Sequence, residues 1–103
     1  MFADAAIEFL STAAKAQNPF MAFVSFTSPH DPRNQLPDYG KKYKAKDIIL
    51  PTNFLPQHPF DNGELAIRDE QILPPPRTSE QLQEELALYY GMVSEVDEQI
   101  GRV

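Results

Sequence analysis

The sequence predicts an α/β fold in which two helices flank one short buried strand. Three observations predict it. Apolar residues recur with helical spacing at both ends of the chain, residues 20–26 are almost wholly apolar, and all ten prolines lie between Pro19 and Pro76. Because proline has no amide hydrogen and breaks helix interiors, the two ends can be helical and the middle mostly cannot.

The first element is a helix predicted over residues 3–17. Its apolar side chains recur every three or four positions, which places them on one stripe of a helix. They are Phe2, Ala6, Phe9, Leu10 and Ala13. Asp4 lies early and Lys15 late, as the helix dipole favours, and Asn18-Pro19 ends the helix.

The second element is a strand predicted over residues 20–27, with the sequence FMAFVSFT. Polar alternation is almost absent, so both faces should be covered, as in the middle of a parallel sheet. The chain offers no obvious second strand to pair with its backbone groups. We therefore expect residues 1–103 to be an internal segment of a larger catalytic domain and not a complete domain.

The last two elements are a long loop over residues 28–77 and a helix over residues 79–102. The loop is far longer than the roughly 12–15 residues usual in compact domains, which also favours a segment. In the helix, apolar residues step by three and four, and Thr78 with Gln81 forms a capping-box pattern at its start. The stripe consists of Leu82, Leu86, Tyr89, Val93, Val96 and Ile100. Gly91 lies where a bulkier side chain would obstruct close packing.

Composition limits the function classes. The chain has 15 acidic and 9 basic residues, a net charge of −6, so nucleic acid is not expected as a partner. No cysteine is present, which excludes disulfides, thiolate metal sites and a cysteine nucleophile within these residues. No apolar run approaches the roughly 20 residues of a membrane helix, so no membrane partner is expected.

The candidate chemistry lies just after the predicted strand, in the sequence SPHDPR at residues 28–33. Ligands of open parallel sheets bind beyond the carboxyl ends of strands. There, the imidazole of His30, the carboxylate of Asp31 and the guanidinium of Arg33 could contact an anionic group and move a proton. By spacing alone, a loop histidine without a catalytic role is the commoner case.

Residues 19–33, PFMAFVSFTSPHDPR, closely resemble the central strand and following loop of type I sulfatases, the formylglycine-dependent enzymes of the alkaline phosphatase superfamily. The helical text DAAIEFL at 4–10 is similar to the helix before that strand, and YYGMVSEVDEQIGR at 89–102 is similar to their long helix. Residues 53–63, NFLPQHPFDNG, are similar to a bacterial subgroup associated with sulfated sugars. The resemblance implies a segment of the alkaline phosphatase-like α/β sandwich.

The resemblance also implies a role for one histidine. The sulfatase histidine that matches His30 contacts the sulfate group, either steadying its oxygens or protonating the leaving alcohol. The intact enzymes use formylglycine and calcium. Neither the modified residue nor the calcium ligands are among residues 1–103, so no metal ligand is predicted in this chain. Ser79, for example, is followed by Glu80 and not by the formylglycine motif. The chain alone is therefore predicted to be inactive.

Further residues could line a sugar subsite of the parent enzyme. With Asp31 and Arg33, these substrate-binding candidates are His58, Asp61, Asn62 and Arg68. Their alternative role is to satisfy loop backbone and turns. A zinc site from the two histidines matches no compact ligand spacing.

The leading interpretation is a segment of a sulfuric ester hydrolase that cleaves sulfate esters on carbohydrates and is periplasmic or secreted. A related phosphoesterase or phosphonate hydrolase is the alternative enzyme. A non-catalytic interaction module is the alternative from another class; it would use the acidic helix at 78–103 and the lysines at 41–46. The exposed apolar strand and helix stripe could drive self-association.

Overall fold

A computed structural model describes residues 2–16 and 18–103. Within them lie α1 (Phe2–Ala13), α2 (Pro37–Gly40), a 3₁₀ helix (Ala45–Asp47) and α3 (Ser79–Arg102). These residues contain no β-strand. The predicted α/β fold is therefore wrong for the described part of the chain, which is helical with long irregular connections.

The predicted strand at 20–27 has no regular secondary structure. A strand exists only where its N–H and C=O groups pair with a neighbouring strand, and no described segment pairs with this one. The apolar run was therefore not sufficient for a strand, and it is not buried within the described residues. Its side chains lie largely in solvent, with Met21 and Phe23 each 89% exposed.

The N-terminal helix is confirmed but is shorter than the predicted 3–17. α1 ends at Ala13, and tighter backbone bonds from Lys15 N to Thr12 O and from Ala16 N to Ala13 O close its last turn. Gln17, the predicted last residue, lies outside the described residues. Arg102 at the end of α3 pairs with Asp4 on α1, with 2.5 Å between Nη2 and Oδ1.

The C-terminal helix is confirmed at its predicted bounds. The Thr78 hydroxyl accepts from Gln81 N at 3.2 Å, and the Gln81 side chain accepts from Thr78 N at 2.9 Å. This reciprocal capping box satisfies two amides that the first helical turn leaves without intrahelical partners. At about 1.5 Å per residue the 24-residue helix is about 36 Å long. It is the longest element of the described chain.

The long loop is more ordered than the prediction of no regular element between 28 and 77. Its first half folds into α2 and the 3₁₀ helix, which pack on α3. Side-chain hydrogen bonds to α3 hold this half in place. Tyr43 Oη lies 2.9 Å from Ser94 Oγ, and Gln83 Nε2 donates to Ile48 O at 2.8 Å.

Gly91 is the point of closest approach between α2 and α3. A Cβ at this position would lie 2.6 Å from the carbonyl oxygen of Tyr39 and 3.1 Å from its carbonyl carbon. Real Cβ atoms do not approach backbone this closely, so only glycine fits here. The expectation that a bulkier side chain would obstruct packing at Gly91 is confirmed.

The described chain does not close around a core. Its fully buried apolar residues are few and small, apart from Met92 and Ile48. The radius of gyration is 18.6 Å, against about 13 Å for a compact chain of ~100 residues. The accessible surface is 7815 Å², against about 5,900 Å² for a folded protein of this mass. None of the helices in the described ranges has the length and apolarity to cross a membrane.

Candidate functional site

His30 lies in a turn between residues 27 and 34. Its amide donates to Thr27 O at 3.0 Å, and Asn34 N donates to Pro32 O at 2.7 Å. Two prolines, Pro29 and Pro32, flank the histidine and each fix a backbone φ angle. The turn therefore presents one side chain from a stiff stretch of backbone. The predicted position at the end of a sheet is not seen, because the described residues form no sheet.

The turn and α3 enclose a cavity of about 430 Å³, which His30 lines together with Phe26, Asp31, Asn34 and the buried Met92. The side chain of His30 is 67% exposed. Its Nε2 has no hydrogen-bond partner in the described part of the chain, whereas Nδ1 is bonded. The imidazole is thus accessible to a ligand through one nitrogen.

Asp31 supplies the contacts to Nδ1. Its backbone oxygen lies 2.8 Å from His30 Nδ1, and its carboxylate Oδ1 lies 3.3 Å from the same atom. The carboxylate is largely shielded, with the side chain 18% exposed. Its other oxygen, Oδ2, lies 3.5 Å from Arg68 Nη2, and Arg68 also pairs with Asp69. The structure therefore brings His30, Asp31 and Arg68 together.

Arg33 points away from this group and onto α3. Its Nε lies 3.3 Å from Glu85 Oε2, and its guanidinium carbon lies 5.4 Å from the centre of the Tyr89 ring. A cation held by a carboxylate and an aromatic face anchors the loop to the helix. Arg33 also lines a second cavity of about 560 Å³, which Asp31 and Arg77 share.

His58 belongs to a separate cluster. Its Nε2 lies 3.6 Å from Glu70 Oε2 and 3.4 Å from Arg77 Nη1. Arg77 bonds Glu70 through Nη2 and donates from Nε to Leu73 O at 2.7 Å. Sequence reasoning missed Glu70 and Arg77, as it missed Glu85 opposite Arg33. No spacing in the chain signals these partners, because irregular loop separates them.

Asp61 and Asn62 hold their own turn. Asp61 Oδ1 accepts from Gly63 N at 2.8 Å, and Asn62 Oδ1 accepts from Glu64 N at 3.1 Å. Gly63 has a φ of 85°, a left-handed conformation that glycine adopts without strain. Both side chains thus satisfy loop backbone, the alternative role that the sequence left open. Sugar contact by these two side chains stays a prediction, and nothing in the structure joins them to His30.

Glu70 gives the second cluster a pH dependence. The hydrogen bond from Arg77 lowers the pKa of Glu70 below its ordinary 4.5, and His58 adds to this effect. A carboxylate whose pKa is lower in the folded state than in the unfolded state stabilises the fold at pH values above its ordinary pKa. That stability is lost as the pH falls through the lower folded pKa.

We expect Glu70→Gln to lower the free energy of unfolding at neutral pH and to lower it less at an acidic pH below the lowered folded pKa of Glu70, where the wild-type carboxylate is protonated. Urea denaturation across this range measures the difference. Glu64→Gln is the matched control, since Glu64 forms no ion pair with any described residue and its replacement should leave the curve unchanged. An equal loss for Glu70→Gln at both pH values would contradict the prediction.

Comparison with protein families decides the family. The family model described as Sulfatase matches residues 1–103, the whole chain. The chain belongs to the sulfatase family. Comparisons with curated proteins and with solved structures found no match. The resemblance drawn from residues 19–33 and 89–102 is confirmed, and the family is one of hydrolases.

The sulfatase resemblance implies calcium and formylglycine, and the residues present do not fit either group. Calcium needs six to eight converging oxygen ligands. Across residues 2–16 and 18–103, no three His, Asp or Glu side chains are arranged to hold a metal ion. Formylglycine is made from cysteine or serine in the motif Cys/Ser-x-Pro-Ser-Arg; the chain has no cysteine, and none of its serines has proline two positions later. Neither group therefore has a place among the described residues.

Proposed function

We propose that this chain forms part of the catalytic domain of a sulfuric ester hydrolase, in which His30 contacts the sulfate group. Family membership over the whole chain supports the hydrolase. The single observation that supports the role of His30 is its geometry: an exposed imidazole at a cavity, with Nδ1 bonded and Nε2 open. Such a group can donate to an anionic oxygen.

The chemistry follows from the open nitrogen. In the imidazolium form, Nε2–H donates a hydrogen bond to a sulfate oxygen, or it passes its proton to the oxygen of the leaving alcohol. Either action offsets the negative charge that develops as the ester bond breaks. The formylglycine nucleophile and the calcium ion would come from parts of the protein other than these residues.

We further propose that the substrate is a sulfated carbohydrate and that the intact protein is periplasmic or secreted. The substrate class is supported by the resemblance of residues 53–63 to sulfatases of sulfated sugars. It is also supported by the exposed polar side chains of that loop, which can exchange hydrogen bonds with sugar hydroxyls. Asp61 and Asn62 retain acceptor capacity beyond the turn they hold.

The apolar surface supports the proposal that other polypeptide covers these residues. Phe23 and Met21 are almost fully exposed, and Phe20 and Ile49 are also largely in solvent. Exposed apolar area of this extent is a mark of an interaction surface. Within a larger domain this surface would be buried. In the absence of the rest of that domain, the exposed surface would cause the chain to self-associate.

The full-length protein should hydrolyse 4-nitrophenyl sulfate with a higher kcat/KM than 4-nitrophenyl phosphate, since the two esters share a leaving group and differ in the transferred group. The purified 103-residue chain should give no turnover above buffer with either ester. A preference for phosphate would favour a phosphoesterase and contradict the proposal. Turnover by the 103-residue chain would contradict the need for other parts of the protein.

A further inference from the structure

We propose that Asp31 is a positioning residue for His30, which keeps the proton of the neutral imidazole on Nδ1 and leaves Nε2 to meet the sulfate group. The catalytic meaning of this inference rests on the proposed function, whereas the contact between His30 and Asp31 does not depend on it. It assigns Asp31 a role behind the imidazole, where the sequence had suggested direct contact with substrate.

Two oxygens of Asp31 face the same ring nitrogen. The backbone carbonyl oxygen is 2.8 Å from Nδ1, an ordinary hydrogen-bond length, and carboxylate Oδ1 is 3.3 Å away. A carbonyl and an ionised carboxylate can only accept hydrogen bonds. A lone pair on Nδ1 would face two negative oxygens, so the favoured neutral tautomer carries its proton there.

Arg68 helps to hold the carboxylate in this position. Its Nη2 lies 3.5 Å from Asp31 Oδ2, the oxygen that does not face the imidazole. Arg68 is 69% exposed and also pairs with Asp69, so its hold on Asp31 is weaker than a buried, undivided ion pair would give. The shielded carboxylate and the stiff turn around His30 supply the rest of the alignment.

Charge also favours a place behind the ring. A sulfate ester carries a negative charge, and a carboxylate that touched it directly would repel it. Placed behind Nδ1, the same carboxylate stabilises an imidazolium whose Nε2–H points to substrate. When Nε2 gives its proton to the departing oxygen, the neutral ring that remains has its proton on Nδ1, already bonded to Asp31. No change of tautomer is then needed.

The test is the tautomer of His30 in the ¹⁵N-labelled full-length protein, read from long-range ¹H–¹⁵N correlations about two pH units above the ordinary imidazole pKa of ~6.5. Protonated and unprotonated ring nitrogens have well separated shifts. We expect the Nδ1–H form to predominate in the wild type. Asp31→Ala keeps the backbone oxygen that bonds Nδ1 and removes the carboxylate 3.3 Å away, so we expect the ratio of Nδ1–H to Nε2–H to fall about two- to fivefold, the range of a partly exposed charge contact.

Asp31→Asn is the conservative variant, because its amide oxygen can still accept, and it should retain more of the Nδ1–H form than Asp31→Ala. His58 is the internal control, since it contacts Glu70 and Arg77 and not Asp31. A predominant Nε2–H form in the wild type would overturn the proposal. So would an unchanged ratio in Asp31→Ala. If the His58 signals also shift in Asp31→Ala, the variant has changed beyond residue 31, and the proposal is then judged from the tautomer of His30 in the wild type.

This experiment requires no turnover, so its outcome is separate from that of the proposed function. A wild-type Nε2–H tautomer would remove the positioning role and leave the hydrolase proposal standing. Conversely, a full-length protein without sulfatase activity would refute the hydrolase and leave the contact between His30 and Asp31 as measured.

Discussion

Replacing Gly91 by alanine is expected to destabilise the packing of α2 on α3. The new Cβ would lie 2.6 Å from the Tyr39 carbonyl oxygen, a backbone atom that cannot rotate away. Relief requires the two helices to separate or the α2 backbone to shift. Overpacking of this kind typically costs about 1–3 kcal/mol of unfolding free energy.

Gly101→Ala is the matched control for this substitution. Gly101 is on the same helix, and a Cβ there would meet nothing within 4 Å. Gly91→Ala gains up to about 1 kcal/mol of helix propensity in the helix interior, and Gly101→Ala gains less in the last turn. A lower stability of Gly91→Ala than of Gly101→Ala is therefore a minimum measure of the contact with Tyr39. Urea denaturation followed by helical circular dichroism gives both free energies. Equal values for the two variants would show that α2 does not approach Gly91 as described.

Local signals predicted the helices well. The capping box at Thr78 and Gln81 and the apolar spacing that follows are properties of one short stretch of chain, and α3 begins and ends as they indicate. The buried positions of α3 were less predictable. Ala87, Gly91, Met92 and Gln99 are buried, whereas Val93 and Ile100 of the predicted stripe are 42% and 58% exposed. Which residues of α3 are buried depends on α2 and the 3₁₀ helix that pack on it, and these lie some 50 residues earlier in the chain.

The absence of a strand at residues 20–27 could not be predicted from those residues alone. Residues 20–26 are apolar on both faces, but strand formation depends on a neighbouring strand, which the described residues do not supply. The same limit applies to the site. Closeness in sequence grouped His30, Asp31 and Arg33, but only His30 and Asp31 contact each other, and Arg33 turns onto α3. The partner Glu85 lies on α3 and the partner Arg68 in the irregular loop, both far along the chain from this group, so no spacing signals their contacts.

His30→Ala in the full-length protein is the second large expected effect. Removing the imidazole removes the donor to the sulfate oxygens or to the leaving alcohol, and general acid catalysis typically contributes about 10²–10⁴-fold. The fold should be preserved, because the side chain is 67% exposed and, among the described residues, bonds only its neighbour Asp31. Circular dichroism and thermal unfolding of the variant should match those of the wild type.

The leaving group separates the two possible roles of His30. If Nε2 protonates the departing alcohol, the loss should be larger for a sugar sulfate, whose alkoxide is a poor leaving group, than for 4-nitrophenyl sulfate. If Nε2 only steadies the sulfate oxygens, the loss should be similar for both esters. Either pattern is consistent with a contact between His30 and the sulfate group.

The kcat of His30→Ala on a sugar sulfate, measured beside the wild-type full-length protein, tests the central claim most directly. We predict a fall of about 100-fold or more in a variant that unfolds at the wild-type temperature. A kcat within about twofold of wild type on both the sugar and the aryl ester, too small a change for a lost general acid, would show that His30 has no part in sulfate ester cleavage.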